Sequence, residues 1–153
     1  MVLILAAAVP ATACQGAAVP AASFEQSAAG LDQIPLTVRS DGRTHRFTVE
    51  VARTPEEQTY GLMNRGSLDP DRGMIFPYDP PQEVAFWMKN TLIPLDIIFI
   101  APGGRILNIA ANTTPLSLEP VPSAGPVEAV LELAGGRAAE LGMAAGDQVD
   151  WRR

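Results

Sequence analysis

At 153 residues the chain is long enough for one globular domain of ordinary size and too short for two comfortable ones. Hydrophobic residues make up 47% of it and charged residues 18%, the balance of a packed domain and not of a disordered chain. The net charge of −6 is spread along the sequence with no run of Lys or Arg to follow a phosphate backbone, so nucleic acid is an unsuited partner, and a single His, His45, rules out a zinc site made from His and Cys.

The predicted elements begin with an export signal. Val2–Val9 is continuously apolar, too short to span a bilayer of about 30 Å as a helix, and Ala11-Thr12-Ala13 supplies the small-x-small pattern of a cleavage site. Residues 1–13 therefore read as a signal peptide and the protein as exported: periplasmic, lipid-anchored or secreted. No Lys or Arg precedes the apolar run, which departs from the usual layout and suggests a start upstream of Met1. Cys14 follows the cleavage pattern directly and resembles a lipid-attachment site, although Ala11 stands where such sites usually carry Leu; a lipid anchor there is the expected route to a membrane. Residues 14–35, rich in Ala, Gly, Ser and Gln, read as a flexible tether. The folded domain is expected over residues 36–153, and it contains no thiol.

Fourteen prolines and thirteen glycines argue for many turns and few long helices, hence a mainly β domain. Leu36–Ser40 and Arg43–Val51 flank Asp41-Gly42, a hairpin dipeptide, and Phe47, Val49 and Val51 share the buried face of the second strand. His45, near the start of that strand, reads as a partly exposed surface group. Thr54-Pro55-Glu56-Glu57 has the N-cap, first-turn Pro and capping-box Glu of a helix start, with the helix running to Met63 and Tyr60 and Met63 covering the sheet. Met74–Phe76 is a short strand that Pro77, Pro80 and Pro81 should stop.

The densest apolar stretch follows. Glu83–Met88 and Leu95–Ile100 read as a strand pair joined through Lys89–Pro94. Leu95, Ile97 and Phe99 fill one face of the second strand; Asp96, Ile98 and Ile100 share the other. A carboxylate in such a setting needs hydrogen bonds or a cation, and Lys89, Arg53 and Arg65 are the candidates for the charge. Arg105–Ala111 is the next hairpin partner, Asn112–Pro126 a long connection, and Val127–Leu133 a strand with Val127, Ala129, Leu131 and Leu133 on one face and Glu128, Val130 and Glu132 on the other. A helical turn, Arg137–Leu141, precedes the final strand Gln148–Trp151.

These motifs stand in one order: Thr54-Pro55-Glu56-Glu57, then Gly61-Leu62-Met63 and Arg65, Gly73-Met74-Ile75-Phe76, Phe86-Trp87-Met88-Lys89-Asn90-Thr91, Ile93-Pro94-Leu95-Asp96, Val130-Leu131-Glu132-Leu133 and Gly146-Asp147-Gln148-Val149. Together they resemble the prokaryotic family of domains of unknown function numbered 192, DUF192, over nearly all of the chain after Leu36; Gly136 beside Gly135 is a small local variant. The resemblance implies a small single-domain β-barrel or jelly-roll-like sandwich with one or two short helices, often exported, with no cofactor and no agreed activity.

No arrangement of residues amounts to a recognised catalytic set. The leading expectation is a small extracytoplasmic binding or structural module, with Trp87 and Met88 as apolar walls and Lys89, Asn90, Asp96 and Arg65 as the polar groups orienting a small molecule. The plainer alternative is that Asp96 and Asn90 satisfy backbone groups at a turn, with Lys89 as counter-ion. Two others differ in class: a hydrolase sharing acid and base duty between Asp96 and Glu132, and a surface protein-interaction domain, which an exposed apolar patch near Trp87 would favour. Met63, Met74 and Met88 could hold Cu(I), although Met more often fills gaps in a core.

Overall fold

The computed structural model describes residues 26–151. The expected signal peptide, Cys14 and the first part of the expected tether lie outside the described residues. Among the described residues seven strands close into a barrel, accompanied by a separate two-stranded ribbon and two short helices. The fold is thus the mainly β barrel expected, and not a sandwich.

β1 (Gln33–Ser40) starts three residues before the expected Leu36, because Ile34 is already buried inside the barrel. It pairs antiparallel with β2 (Arg43–Val51), Ser40 opposite Arg43. Asp41 and Gly42 between them both have positive φ, 47° and 72°, the backbone that a twisted two-residue hairpin demands. α1 (Pro55–Tyr60) begins as predicted: Thr54 accepts from the Glu57 amide, and the Glu57 carboxylate accepts from the amides of Arg53 and Thr54 at 2.7 and 2.9 Å. Those amides hold the Glu57 carboxyl below its ordinary range. The helix stops at Tyr60, short of Met63. Gly61, at φ 49°, turns the chain where a side chain would touch the Phe76 ring at 3.4 Å, and Leu62 is delivered onto the sheet in place of Tyr60, which is exposed.

β3 (Arg72–Gln82) lies parallel to β2 and passes straight through the three prolines expected to end it. They are tolerated because its ladder with β8 (Val127–Ala134) is interrupted between Pro77 and Gln82, so no amide is required there. A second correction concerns the expected central pair. Only Ala85–Phe86 (β4) of the segment 83–88 is a strand, and it joins β7 (Val121–Pro122) in the small ribbon. β5 (Leu95–Ala101) pairs instead with β6 (Arg105–Ala110) on one side and β8 on the other. A strand buried along nearly its whole length needs partners on both edges, and β8 supplies the second. After α2 (Arg137–Glu140), β9 (Gln148–Trp151) closes the barrel between β6 and β1.

The barrel wall buries both of its faces over β3, β8 and β5. Inside lie Val49, Ile75, Ile98, Ile100, Leu131 and Leu133. Outside, Met74, Phe76, Leu95, Ile97, Phe99 and Val130 form a second cluster, roofed by Leu62, Met88 and Phe86, whose ring meets Phe76 and Phe99 edge-on at 5.1 and 6.1 Å. Val127 joins the outer cluster and not the inner one, consistent with the irregular register beside it.

Candidate functional site

The residues expected to form a pocket separate. Asp96 is fully buried on the inner face of β5, but no cation accompanies it among the described residues. Its Oδ1 accepts from the amides of Asn112 and Gly136 at 2.6 and 2.9 Å, and its Oδ2 from the amide of Ala138 at 2.7 Å. Three N–H donors satisfy the carboxylate, so the expected basic neighbour is unnecessary. Arg53 pairs with Asp32 at 2.8 Å, Arg65 with Glu50, and Lys89 lies 5.1 Å above the exposed Trp87 ring. Met88 is buried in the outer cluster, where its sulfur accepts from the Thr113 hydroxyl at 3.1 Å. Asn90 makes a left-handed turn, φ 55°, and its carbonyl accepts from the Asn64 amide at 2.8 Å. The Asp96 side chain therefore satisfies backbone groups, without Lys89 as counter-ion, whereas the Asn90 side chain donates to the Met63 sulfur at 3.9 Å.

Arg65 belongs to a different arrangement, on the outer face of the wall. Glu50, Met74, Glu132 and Ile97 lie side by side across β2, β3, β8 and β5. Arg65 grips Glu50 with both terminal nitrogens, at 2.6 and 2.7 Å. Glu132 is buried, and its Oε2 has no hydrogen-bond partner. Burial pushes its carboxyl up to about 8, with the charge of Arg65 opposing the shift. Tyr78, affected by the same carboxyl, is pushed up to about 12, chiefly by its own burial. Asp96 faces the inside of the barrel beside Leu133, whereas Glu132 lies opposite Ile97 on the outside. The wall stands between the two carboxyls proposed to share acid and base duty.

A concavity lies at the barrel mouth, where β2 and β9 end and β3 passes through its prolines. This cleft of 630 Å³ is lined by Val51, Arg53, Gln58, Tyr78, Asp79, Gln82, Glu128 and Trp151, with Pro77 and Pro81. A second, of 310 Å³, is more polar and includes Glu50, Arg65, Asp69 and Arg72. Neither is lined by Trp87, Met88, Lys89, Asn90 or Asp96. The mouth cleft escapes sequence reasoning because its walls come from four separated segments; the one available signal was a Tyr-Asp dipeptide set among prolines.

These features define a small closed β-barrel with a doubly covered wall, a buried carboxyl in that wall and an open mouth. The chain belongs to the family DUF192, described as "Uncharacterized ACR", whose model matches residues 36–151. Among solved structures it is similar to a protein of unknown function from Novosphingobium aromaticivorans DSM 12444, with 48% identity over 86% of this chain and 94% of that one and a TM-score of 0.82. It is also similar to a protein from Sinorhizobium meliloti 1021 named a "putative transcription regulator", with 39% identity over 79% of this chain and 95% of that one and a TM-score of 0.77. No curated protein matches the chain.

Proposed function

We propose that the protein is a small-molecule-binding module acting outside the cytoplasm, with its ligand held in the mouth cleft. The observation that carries this is the cleft itself: its volume lies in the range of ordinary ligand pockets, and it combines two aromatic side chains, Tyr78 and Trp151, with a few polar groups. The export reading is supported by Val2–Val9 and the Ala11-Thr12-Ala13 pattern, with Cys14 as the candidate lipid attachment. A role in transcription, which the name of the S. meliloti protein would suggest, draws no support from a net charge of −6 without a basic run. Titrating the isotope-labelled protein with a fragment set of amines, diols, carboxylates and sugars should shift the amides of Gln58, Tyr78, Gln82 and Trp151 together. A set that leaves all four unmoved would sink the reading.

A second reading, a docking surface for another protein, is favoured by one observation. Trp87, Leu92, Leu116 and Leu118 are 46–65% exposed on two loops joined by hydrogen bonds from the Met88 amide to Ser117 and from the Leu116 amide to Thr91. Leu116 holds φ at 62°, an uncommon conformation for a bulky residue. A photo-crosslinker at position 92 should capture a discrete partner in cells, and the Leu116→Ser, Leu118→Ser double variant should abolish that adduct. Adducts no more frequent than from Glu119 would count against it.

A further inference from the structure

We infer that the face formed by Trp87, Leu92, Leu116 and Leu118 seats on a phospholipid bilayer. It is separate from the mouth cleft, whose lining includes none of the four, and a bilayer competes there with the protein partner of the second reading. Two backbone hydrogen bonds lay the segments 87–92 and 116–118 side by side: the Met88 amide donates to the Ser117 carbonyl at 3.0 Å, and the Leu116 amide to the Thr91 carbonyl at 3.1 Å. Met88 and Thr91 are packed inward, and the Met88 sulfur accepts from the Thr113 hydroxyl. Trp87 and Leu118 flank the first bond and Leu92 and Leu116 the second, so the two loops leave their four apolar side chains together in solvent.

Extent and charge choose the occupant. Four side chains near half exposure open a few hundred Å² of apolar surface, whereas a stable protein interface covers about 800 Å² on each partner. A bilayer needs no matching contour and takes up Leu and Trp side chains singly at its headgroup level. In a chain of net charge −6, the stretches 86–94 and 112–118 hold no Asp or Glu and one Lys. The acids nearest in sequence are Asp96, which is buried, and Glu83 and Glu119, which border the stretches. Lys89 makes no ion pair among the described residues, and its ammonium lies 5.1 Å above the Trp87 ring. An indole at headgroup depth with an ammonium beside it is the pairing that a membrane interface favours. A protein would have to bring an acid to that one position, whereas lipid phosphates meet Lys89 wherever the face lands.

The test uses the full chain and vesicles of phosphatidylcholine with a minor share of phosphatidylglycerol, brominated on the upper acyl chain. Because the apolar run Val2–Val9 can bring the chain to a vesicle by itself, the readout is local: the emission of Trp87, taken as the difference between wild type and Trp87→Phe. That emission should move to the blue and be quenched as lipid is added. The Leu116→Ser, Leu118→Ser double variant should raise the lipid concentration at half-quenching at least about tenfold. Lys89→Glu should raise it about tenfold at low salt and less at high salt. All three positions are exposed, so the amide spectrum of the barrel should stay that of wild type. Trp87 unquenched at saturating lipid, whether or not the chain is on the vesicle, overturns the inference, as does a half-quenching point that the two serines leave unmoved. A discrete protein adduct from the photo-crosslinker at position 92 also overturns it and returns the face to the second reading. The fragment titration bears on the mouth cleft alone, so the two readings stand or fall separately.

Discussion

Asp96→Ala is expected to cost about 3–5 kcal/mol, because it strips the acceptor from three amides at once and each buried donor left unmade costs roughly 1–3 kcal/mol. The three come from two separate connections, Asn112 after β6 and Gly136 and Ala138 at the start of α2, so the carboxylate fastens the loops at one end of the barrel to β5. Asp96→Asn keeps one acceptor oxygen but sets an NH₂ against an amide that is itself a donor, and should cost about 2–3 kcal/mol. Against a total stability of about 5–15 kcal/mol, the alanine change brings the domain close to unfolding. Urea titration measures both losses. Hydrogen exchange at the amides of Asn112, Gly136 and Ala138 should accelerate before exchange in β8 does. A second expectation separates fastening from ligand recognition: the folded fraction of Asp96→Asn should hold mouth-cleft probes as tightly as wild type. Loss of binding with unchanged stability would put Asp96 in a site and contradict this account.

What could be read from the residues, and what could not, follows the distance over which each feature is decided. Asp41-Gly42, the Thr54–Glu57 cap and the two-faced pattern of β5 are local: the backbone conformation or alternation they require is met within a few residues, and the structure contains all three. The anchoring of Asp96 is not local. Its partners lie 16, 40 and 42 residues away and are backbone amides, which leave no mark in side-chain identity. That Asp96 needs partners is legible, and backbone groups are among the candidates; which amides, and from which two connections, is not. Likewise Pro77, Pro80 and Pro81 read as the end of a strand that in fact runs on through them, because only the partner strand decides where the ladder lapses. The mouth cleft needs β9 beside β1 before Trp151 comes near Tyr78, and no periodicity announces that closure.

Glu132 is the case where a sequence signal existed. Alternation along β8 places Glu132 with Val130 on one face, and a face carrying two acids looks solvent-facing when that strand is considered alone. Yet β5 is apolar on both faces, and β8, paired along it, lies in the same wall covered on both sides. The covering comes from Leu62, Phe86 and Met88, distant in sequence. The same covering sets the protonation chemistry. In the unfolded chain the Glu132 carboxyl has its ordinary value near 4.5, and in the folded protein about 8. Between those values the native state holds more protons at this group than the unfolded state, so the contribution of Glu132 to stability is greatest below about 4.5, falls as pH rises through the interval, and levels off above about 8. The contribution from this one group falls by up to roughly 1.4 kcal/mol per pH unit.

Glu132→Gln is expected to remove that fall. Its urea midpoint should be nearly flat over the interval where the wild type declines, and above pH 8 the variant should be the more stable by about 2–4 kcal/mol. Parallel curves for the two proteins would show that Glu132 ionises normally. The neighbours supply a sharper check through the carboxyl carbon resonance of Glu132, which should titrate near 8 in the wild type. Arg65 opposes the shift while its two terminal nitrogens are occupied by Glu50. Arg65→Met should therefore raise the titration midpoint further, by withdrawing the one cation that favours the charged form. Glu50→Gln should lower it, since a guanidinium no longer gripped by a carboxylate can turn its hydrogen bonds toward the unpartnered Oε2 of Glu132. Opposite displacements from two substitutions, one on each partner of the same ion pair, are what a shared guanidinium requires, and a general loosening of the wall would move both in one direction.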